Sequence, residues 1–214
     1  MPSPPDPDAL ARVRVPGSTS NLGPGFDCMG LALAVYNEVT VAVADSPENS
    51  ESVDPAHPMV EATADRFFTE TGVGPFPFRW EIDGDVPISR GLGSSVTLRL
   101  GLIAGLNELV GGSLDRDQLF NICRDLEGHP DNASAGVFGG FTVTGAKGRC
   151  FQFEVGPELV CVLLIPTHEI LTSEARALLP DSVPRLEAVG TLGNAAALTA
   201  AFAQRDYPRL KGCF

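Results

Sequence analysis

The chain has 214 residues, 43% of them hydrophobic and 20% charged, with a formal net charge of −12. That length and apolar content suit one large domain or two small ones around a substantial core. The acidic balance argues against a nucleic-acid partner, whose phosphates recruit clustered Lys and Arg.

The opening MPSPPDPDAL is proline-rich and acidic, with neither the basic start nor the apolar centre of a signal peptide. Residues 12–15 read as a short strand ended by Pro16-Gly17, and residues 18–27 as a polar, glycine-rich loop. Residues 31–44 alternate and carry β-branched side chains, which predicts one or two strands. A polar surface loop is expected over 46–58. Pro58 then begins a helix with Val60, Thr63, Ala64, Phe67 and Phe68 facing inward and Gly72 as its stop. Residues 76–82 alternate like a strand. Val96, Leu100, Ile103, Leu106 and Val110 recur at helical spacing. A second such helix starts near Asp115, carries Leu119, Ile122, Cys123 and Leu126 on one side, and stops at Gly128. Strands are expected at 138–144 and 151–155. The longest apolar run, 159–165, suits a buried strand and is far too short to span a membrane. Helices near 173–179 and 185–204 close the chain, and the whole reads as α+β with a domain change near 145–148. Five scattered cysteines (Cys28, Cys123, Cys150, Cys161, Cys213) form no C-x-x-C pair, so reduced thiols are expected. A cytoplasmic protein without a membrane partner is the reading.

Four segments look costly for structure alone. Gly91-Leu92-Gly93-Ser94-Ser95 stands directly ahead of a helix, where glycines let the backbone approach a ligand. The N–H groups at a helix start attract a phosphate there. The segment is neither a P-loop nor a dinucleotide fingerprint, and a serine-capped turn would use the same residues. Residues 16–27, PGSTSNLGPGFD, display Asn21 and Asp27, which suit an ammonium or hydroxyl group or else simple Asx turns. In residues 126–132, LEGHPDN, Glu127 could hold Mg²⁺ with substrate phosphates. Asn132 could stabilise a transferring phosphoryl group. A solvated helix end with a Pro-Asp turn is the plainer alternative, and His129 reads as an ordinary loop histidine. In residues 166–179, PTHEILTSEARALL, Thr172 or Ser173 can cap a helix. Arg176 there could clamp a carboxylate or pair with Glu174 or Asp181.

The order PGSTSNLGPGFD, PISRGLGSS, LEGHPDNASAGVFGGF and TSEARALLP resembles the homoserine kinases of the GHMP small-molecule kinase family. The likeness runs from about Arg12 to the end. It implies that Pro87, Ser89, Arg90, Gly91, Leu92, Gly93, Ser94, Ser95 and Val96 wrap the phosphates of ATP. Ser95 and Glu127 would hold Mg²⁺. Asn21, Asp27, Asn132 and Arg176 would bind L-homoserine, with Arg176 on the α-carboxylate and Asp27 on the ammonium. Asn132, Asp131 and Thr172 would stand at the reacting phosphate, positioning and charge stabilisation carrying the rate. The implied fold is a two-layer N-terminal domain (1–147) with a left-handed βαβ unit, followed by a ferredoxin-like C-terminal domain (148–214). The chain stops where family members continue, so that second domain is expected to be incomplete, with an apolar face uncovered. A homodimer is compatible with the resemblance. A GHMP kinase for another small alcohol, or a non-catalytic nucleotide-binding fragment, remain the alternatives.

Overall fold

The computed structural model describes residues 5–44, 57–165 and 172–214, with the side chains of 172–174 left out. Its spine is a 15-residue strand, β2 (Met29–Val43). Strand β1 (Leu10–Ser20) pairs antiparallel along its length. Strands β3 (Phe78–Gly84) and β4 (Phe141–Thr144) both pair antiparallel with β2, at residues 37–43 and 29–31 respectively. A strand has only two edges, so β3 and β4 share the one opposite β1 and run parallel to each other. The connection between them holds helices α2 (Ser94–Leu109), α3 (Arg116–Glu127) and α4 (Asp131–Phe138). Strand β5 (Cys150–Phe153) completes the five-stranded sheet beside β4. The turn joining them contains the expected domain boundary at 147/148.

The register of β1 against β2 shifts between Pro16 and Ser18: Pro16 lies opposite Tyr36, and Ser18 opposite Ala32. Gly17 alone thus faces Leu33, Ala34 and Val35, so the extra residues lie on β2; Pro16-Gly17 does not end β1, which runs on to Ser20. Such a bulge reverses which face a side chain takes, because strand side chains alternate with a period of two. Before it, Val15, Val39 and Val41 pack into the core with Val96, Ile103 and Leu106 of α2. Beyond it, Ser18 and Gly30 face the helix layer, while Met29 and Leu31 face away and join Phe141 in a second cluster.

The helices follow the punctuation of the sequence. Helix α1 (Pro58–Thr71) opens with proline in its first turn and ends on Gly72 at φ 66°. Helix α3 is capped by Asp115 in a reciprocal box with Gln118 and stops at Gly128. Helix α4 was not foreseen: a Pro-Asp turn was expected where it begins, and residue 138 was expected to start a strand. Its eight residues are short and small, giving little periodicity to read.

The C-terminal segment departs further. Residues 159–165 form no strand, and Val160, Val162 and Leu164 are 78%, 85% and 92% exposed. Only Leu159 and Leu163 find apolar neighbours, Leu159 at the second cluster and Leu163 beside Leu33, Val86 and Leu92, and no strand among the described residues pairs with the segment. Helices α5 (Thr172–Ala177) and α6 (Arg185–Gln204) form close to their expected positions. The far end of α6 supplies Leu198 and Phe202 to the second cluster, where Phe202 stacks on Phe141 at 4.0 Å. Its near end leaves Leu186, Val189 and Leu192 exposed, the uncovered apolar face expected of an incomplete domain. By length and composition alone α6 could cross a membrane.

Gly30 lets β2 and α4 meet. A Cβ there would lie 2.1 Å from the Asp131 carbonyl oxygen and 3.1 Å from the Ala135 methyl, so backbone would have to move. Gly30→Ala is expected to lower the unfolding free energy by about 3 kcal/mol in urea titrations. Gly190, in α6, has nothing within 4 Å of such a Cβ. Gly190→Ala should be neutral or stabilising by about 0.5–1 kcal/mol, from the entropy a helical glycine loses.

Candidate active site

Four separated segments converge on one cleft of about 780 Å³. Its walls include Ser20 and Asn21 from the end of β1, Ser89–Ser95 ahead of and inside α2, Glu127 to Asn132 around the α3–α4 turn, and Arg176 of α5. Of the expected phosphate-binding residues, Ser89, Arg90, Gly91, Gly93, Ser94 and Ser95 line the cleft. Val96 is fully buried in the main core, and Leu92 packs with Leu33 and Val86, so neither side chain faces the cleft. Pro87 is half-buried and also lies off its wall. The side chain of Thr172, first residue of α5, lies outside the described residues.

The helix start decides one open alternative. Gly93 is the N-cap of α2 at φ 71°, and no side chain among the described residues caps the helix. The serines stand inside the first turn, so the turn is not serine-capped and its leading N–H groups remain available beside the cleft. Gly93 is also needed for closeness: a Cβ there would lie 2.5 Å from Ser18 Oγ and 3.4 Å from Asn132 Oδ1.

Ser95 Oγ donates to Glu127 Oε2 at 3.0 Å. Arg99 stands one helical turn beyond Ser95, and its Nη1 lies 2.9 Å from Glu127 Oε1. The same guanidinium donates to the Leu126 carbonyl. Glu127 is only 8% exposed, and its Oε1 accepts no hydrogen bond among the described residues. A buried carboxylate oxygen with a counter-charge but no donor, beside a serine hydroxyl, matches the hard oxygen donors that Mg²⁺ takes. The residues fit the metal expected there. Arg99 escaped the sequence reading, although its i+4 spacing from Ser95 puts both on one helical face.

Past the turn, Asp131 is 1% exposed and accepts from the Asn132 N–H at 2.7 Å, and His129 Nδ1 lies 2.7 Å from the same oxygen. Burial pushes the Asp131 carboxyl up, but the bonds from His129, Asn132 and the Ser20 hydroxyl outweigh it and hold it below its ordinary value. The Asp131 hydrogen bond raises His129, against an opposing effect of burial. His129 is thus a paired residue at the cleft wall, not the plain loop histidine expected.

At the mouth, Arg176 Nη1 donates to Asp27 Oδ2 at 2.9 Å, and Nη2 donates to the other carboxylate oxygen. The guanidinium lies 5.3 Å from the centre of the Phe26 ring. Asn21 Oδ1 accepts from the Asp27 N–H at 2.9 Å, so its carbonyl end serves the loop as an Asx turn would, while Asn21 still lines the cleft. Donor atoms of Asp27, His129 and Asp131 lie within 4.8 Å of one another, a cluster the sequence did not announce.

Comparison with known proteins agrees with this architecture. A family model, the GHMP kinases N terminal domain, matches residues 58–140. Homoserine kinase of Moorella thermoacetica is 36% identical over 204 residues, spanning 91% of this chain and 69% of that protein. A solved homoserine kinase structure from Cytophaga hutchinsonii is similar in fold, with a TM-score of 0.79 at 21% identity over 95% of this chain and 70% of that one. A putative homoserine kinase structure from Listeria monocytogenes gives 0.73 at 29% identity, over 96% and 72%. The chain therefore belongs to the homoserine kinase branch of the GHMP kinases, a family of phosphotransferases whose acceptor is an alcohol.

Proposed function

We propose that this protein transfers the γ-phosphoryl group of ATP to the side-chain hydroxyl of L-homoserine, giving O-phosphohomoserine on the route to threonine. One observation carries the reading. A single cleft is lined by an uncapped helix start, the buried Glu127 carboxylate and Arg176, whose guanidinium is paired with Asp27 beside it. The helix start and Glu127 suit a nucleotide phosphate chain with its metal. The Asp27–Arg176 pair offers the two opposite charges that an amino acid's ammonium and carboxylate require.

In this reading residues 1–147 carry the ATP site and residues 148–214 a partial second domain. The glycine-serine loop takes the phosphates through backbone N–H groups, which is compatible with Val96 facing the core. Ser95 and Glu127 hold Mg²⁺. When bound there, the metal supplies positive charge to the phosphate oxygens. Arg176 binds the α-carboxylate, Asp27 the ammonium, and Asn21 shapes the loop between them. The acceptor oxygen forms a bond to the γ-phosphorus as the bond to the departing ADP oxygen breaks, and the hydroxyl proton passes to a phosphate oxygen. Asn132 donates to the transferring group, while Asp131 and Thr172 shape its surroundings. Rate comes from holding the two substrates in line and balancing charge. The reading includes no nucleic-acid or membrane partner and a cytoplasmic location.

The Asp27–Arg176 pair predicts how acceptors are discriminated. A zwitterion exchanges one ion pair for two, whereas an alcohol with only a carboxylate leaves Asp27 without its partner.

The first experiment is a calorimetric titration with MgATP, with and without homoserine, followed by turnover on homoserine, mevalonate and a sugar. Saturable binding that homoserine alters, and preference for homoserine, are expected; preference for a non-amino-acid alcohol would remove the roles of Asp27 and Arg176. Asn132→Ala is expected to lower turnover about a hundredfold with ATP affinity nearly unchanged. Glu127→Gln should raise the Mg²⁺ concentration needed for half-maximal ATP binding about tenfold, while ATP binding in EDTA stays at the parent value. For Asp27→Asn, competition binding should show the preference for homoserine over 4-hydroxybutyrate falling at least tenfold.

A further inference from the structure

Asn132 is held by groups that the resemblance assigned no role. Ser18, 1% exposed, donates through Oγ to Asn132 Oδ1 at 2.8 Å. Asn132 Nδ2 donates to Ser20 Oγ at 3.3 Å. The same Ser20 Oγ accepts from Asn21 Nδ2, also at 3.3 Å. The Asp27 N–H fixes Asn21 Oδ1 as an acceptor, so the Asn21 NH₂ faces Ser20, whose oxygen is the acceptor for both amides. The Asn132 amide must then present NH₂ to Ser20 and its carbonyl to Ser18, whose hydroxyl donates.

Ser18 also ties this chain to the glycine-serine loop. Its backbone N–H donates to the Leu92 carbonyl at 3.1 Å, and Gly93 leaves the space its Oγ occupies. One residue on β1 thus fixes the height of the loop and the orientation of the Asn132 side chain together. The placement follows from the register shift between Pro16 and Ser18, beyond which Ser18 faces the helices.

We propose that Ser18 and Ser20 are positioning residues for phosphoryl transfer, clamping the two ends of the Asn132 amide so that its NH₂ is presented to the cleft. The inference rests on the reading of Asn132 as a group that touches the transferred phosphoryl. Neither serine is required to touch a substrate for this role. A clamped amide is pre-aimed before substrates arrive, so its loss lowers turnover and leaves binding alone.

The test uses the full chain labelled with ¹⁵N. The Asn132 side-chain amide signal is assigned by its loss in Asn132→Ala. In the parent and in Ser18→Thr, which keeps the hydroxyl, the signal should be shifted from that of a free asparagine. In Ser18→Ala it should move to the free position; Ser18→Cys, of similar size but a weak donor, should behave alike and serves if the alanine variant does not fold. An unmoved signal in a folded Ser18→Ala or Ser18→Cys protein overturns the proposal. In turnover assays Ser18→Ala should lower kcat about tenfold with both KM values within about twofold, and Ser18→Thr should restore it. On an Asn132→Ala background the same change should cost less than about twofold, because the clamp has nothing left to hold. A full tenfold loss on that background also overturns it. If Asn132→Ala itself turns over like the parent, the catalytic reading of Asn132 falls, and the amide signal still decides whether the clamp exists.

Discussion

The register shift between Pro16 and Ser18 is the constraint on which the rest of the molecule depends. An unbroken pair of strands would keep one face toward the helices along its whole length, and that face would be apolar throughout. The bulge reverses the pattern partway. One half of the β1–β2 ribbon gives Val15, Val39 and Val41 to the core beneath α2. The other half turns Ser18 and Gly30 to the same side, where hydroxyls can bond and a backbone can approach α4. The same sheet therefore supplies a hydrophobic floor and a polar site wall, separated by three residues of chain. Gly17 is suited to this place: a Cβ would lie only 3.1 Å from a Val86 methyl and 3.3 Å from the Leu92 carbonyl.

Three buried or half-buried carboxylates stand in or beside the cleft, and each has a partner of opposite sign. Glu127 faces Arg99, Asp131 faces His129, and Asp27 faces Arg176. Removing a carboxylate from water without a counter-charge is expensive, so these pairings keep a ligand-free cleft foldable. They differ in what they leave open. Arg99 comes from behind the carboxylate and leaves Glu127 Oε1 without a hydrogen bond, whereas Arg176 occupies both oxygens of Asp27. The first arrangement suits a cation that adds to the site. The second suits a ligand that brings both charges and takes the place of the pair.

Much of this organisation could be read before any coordinates. Helices α1, α2, α3 and α6 announced themselves through spacing and through Pro58, Asp115, Gly72 and Gly128, because capping and periodicity are local properties. The failures share a physical cause. Helix α4 is too short to show a period, and residues 159–165 carry a strand pattern with which no strand among the described residues pairs. The β1 strand was cut short because Pro16-Gly17 has the composition of a turn, and only the pairing of Pro16 with Tyr36 and of Ser18 with Ala32 shows that the strand continues through a register shift. Within the site, Asn21, Asp27, Glu127, Asn132 and Arg176 were all singled out from residue type and motif. Ser18, Arg99 and the His129–Asp131 pair were not, since their importance lies in what stands opposite them.

The sequence by itself determined the family, the segments that meet at the cleft, and the helical start behind the glycine-serine loop. Those are matters of residue type, order and short-range spacing, which a chain carries whether or not it is folded. Tertiary structure alone decided that Val96 faces the core while Ser95 faces Glu127, that Arg176 finds Asp27, and that two serines of one strand hold Asn132. Asn132 lies 114 residues from the serine that orients it. No local rule spans such a distance; a hydrogen bond acts over a few ångströms, and only the fold brings its two ends that close.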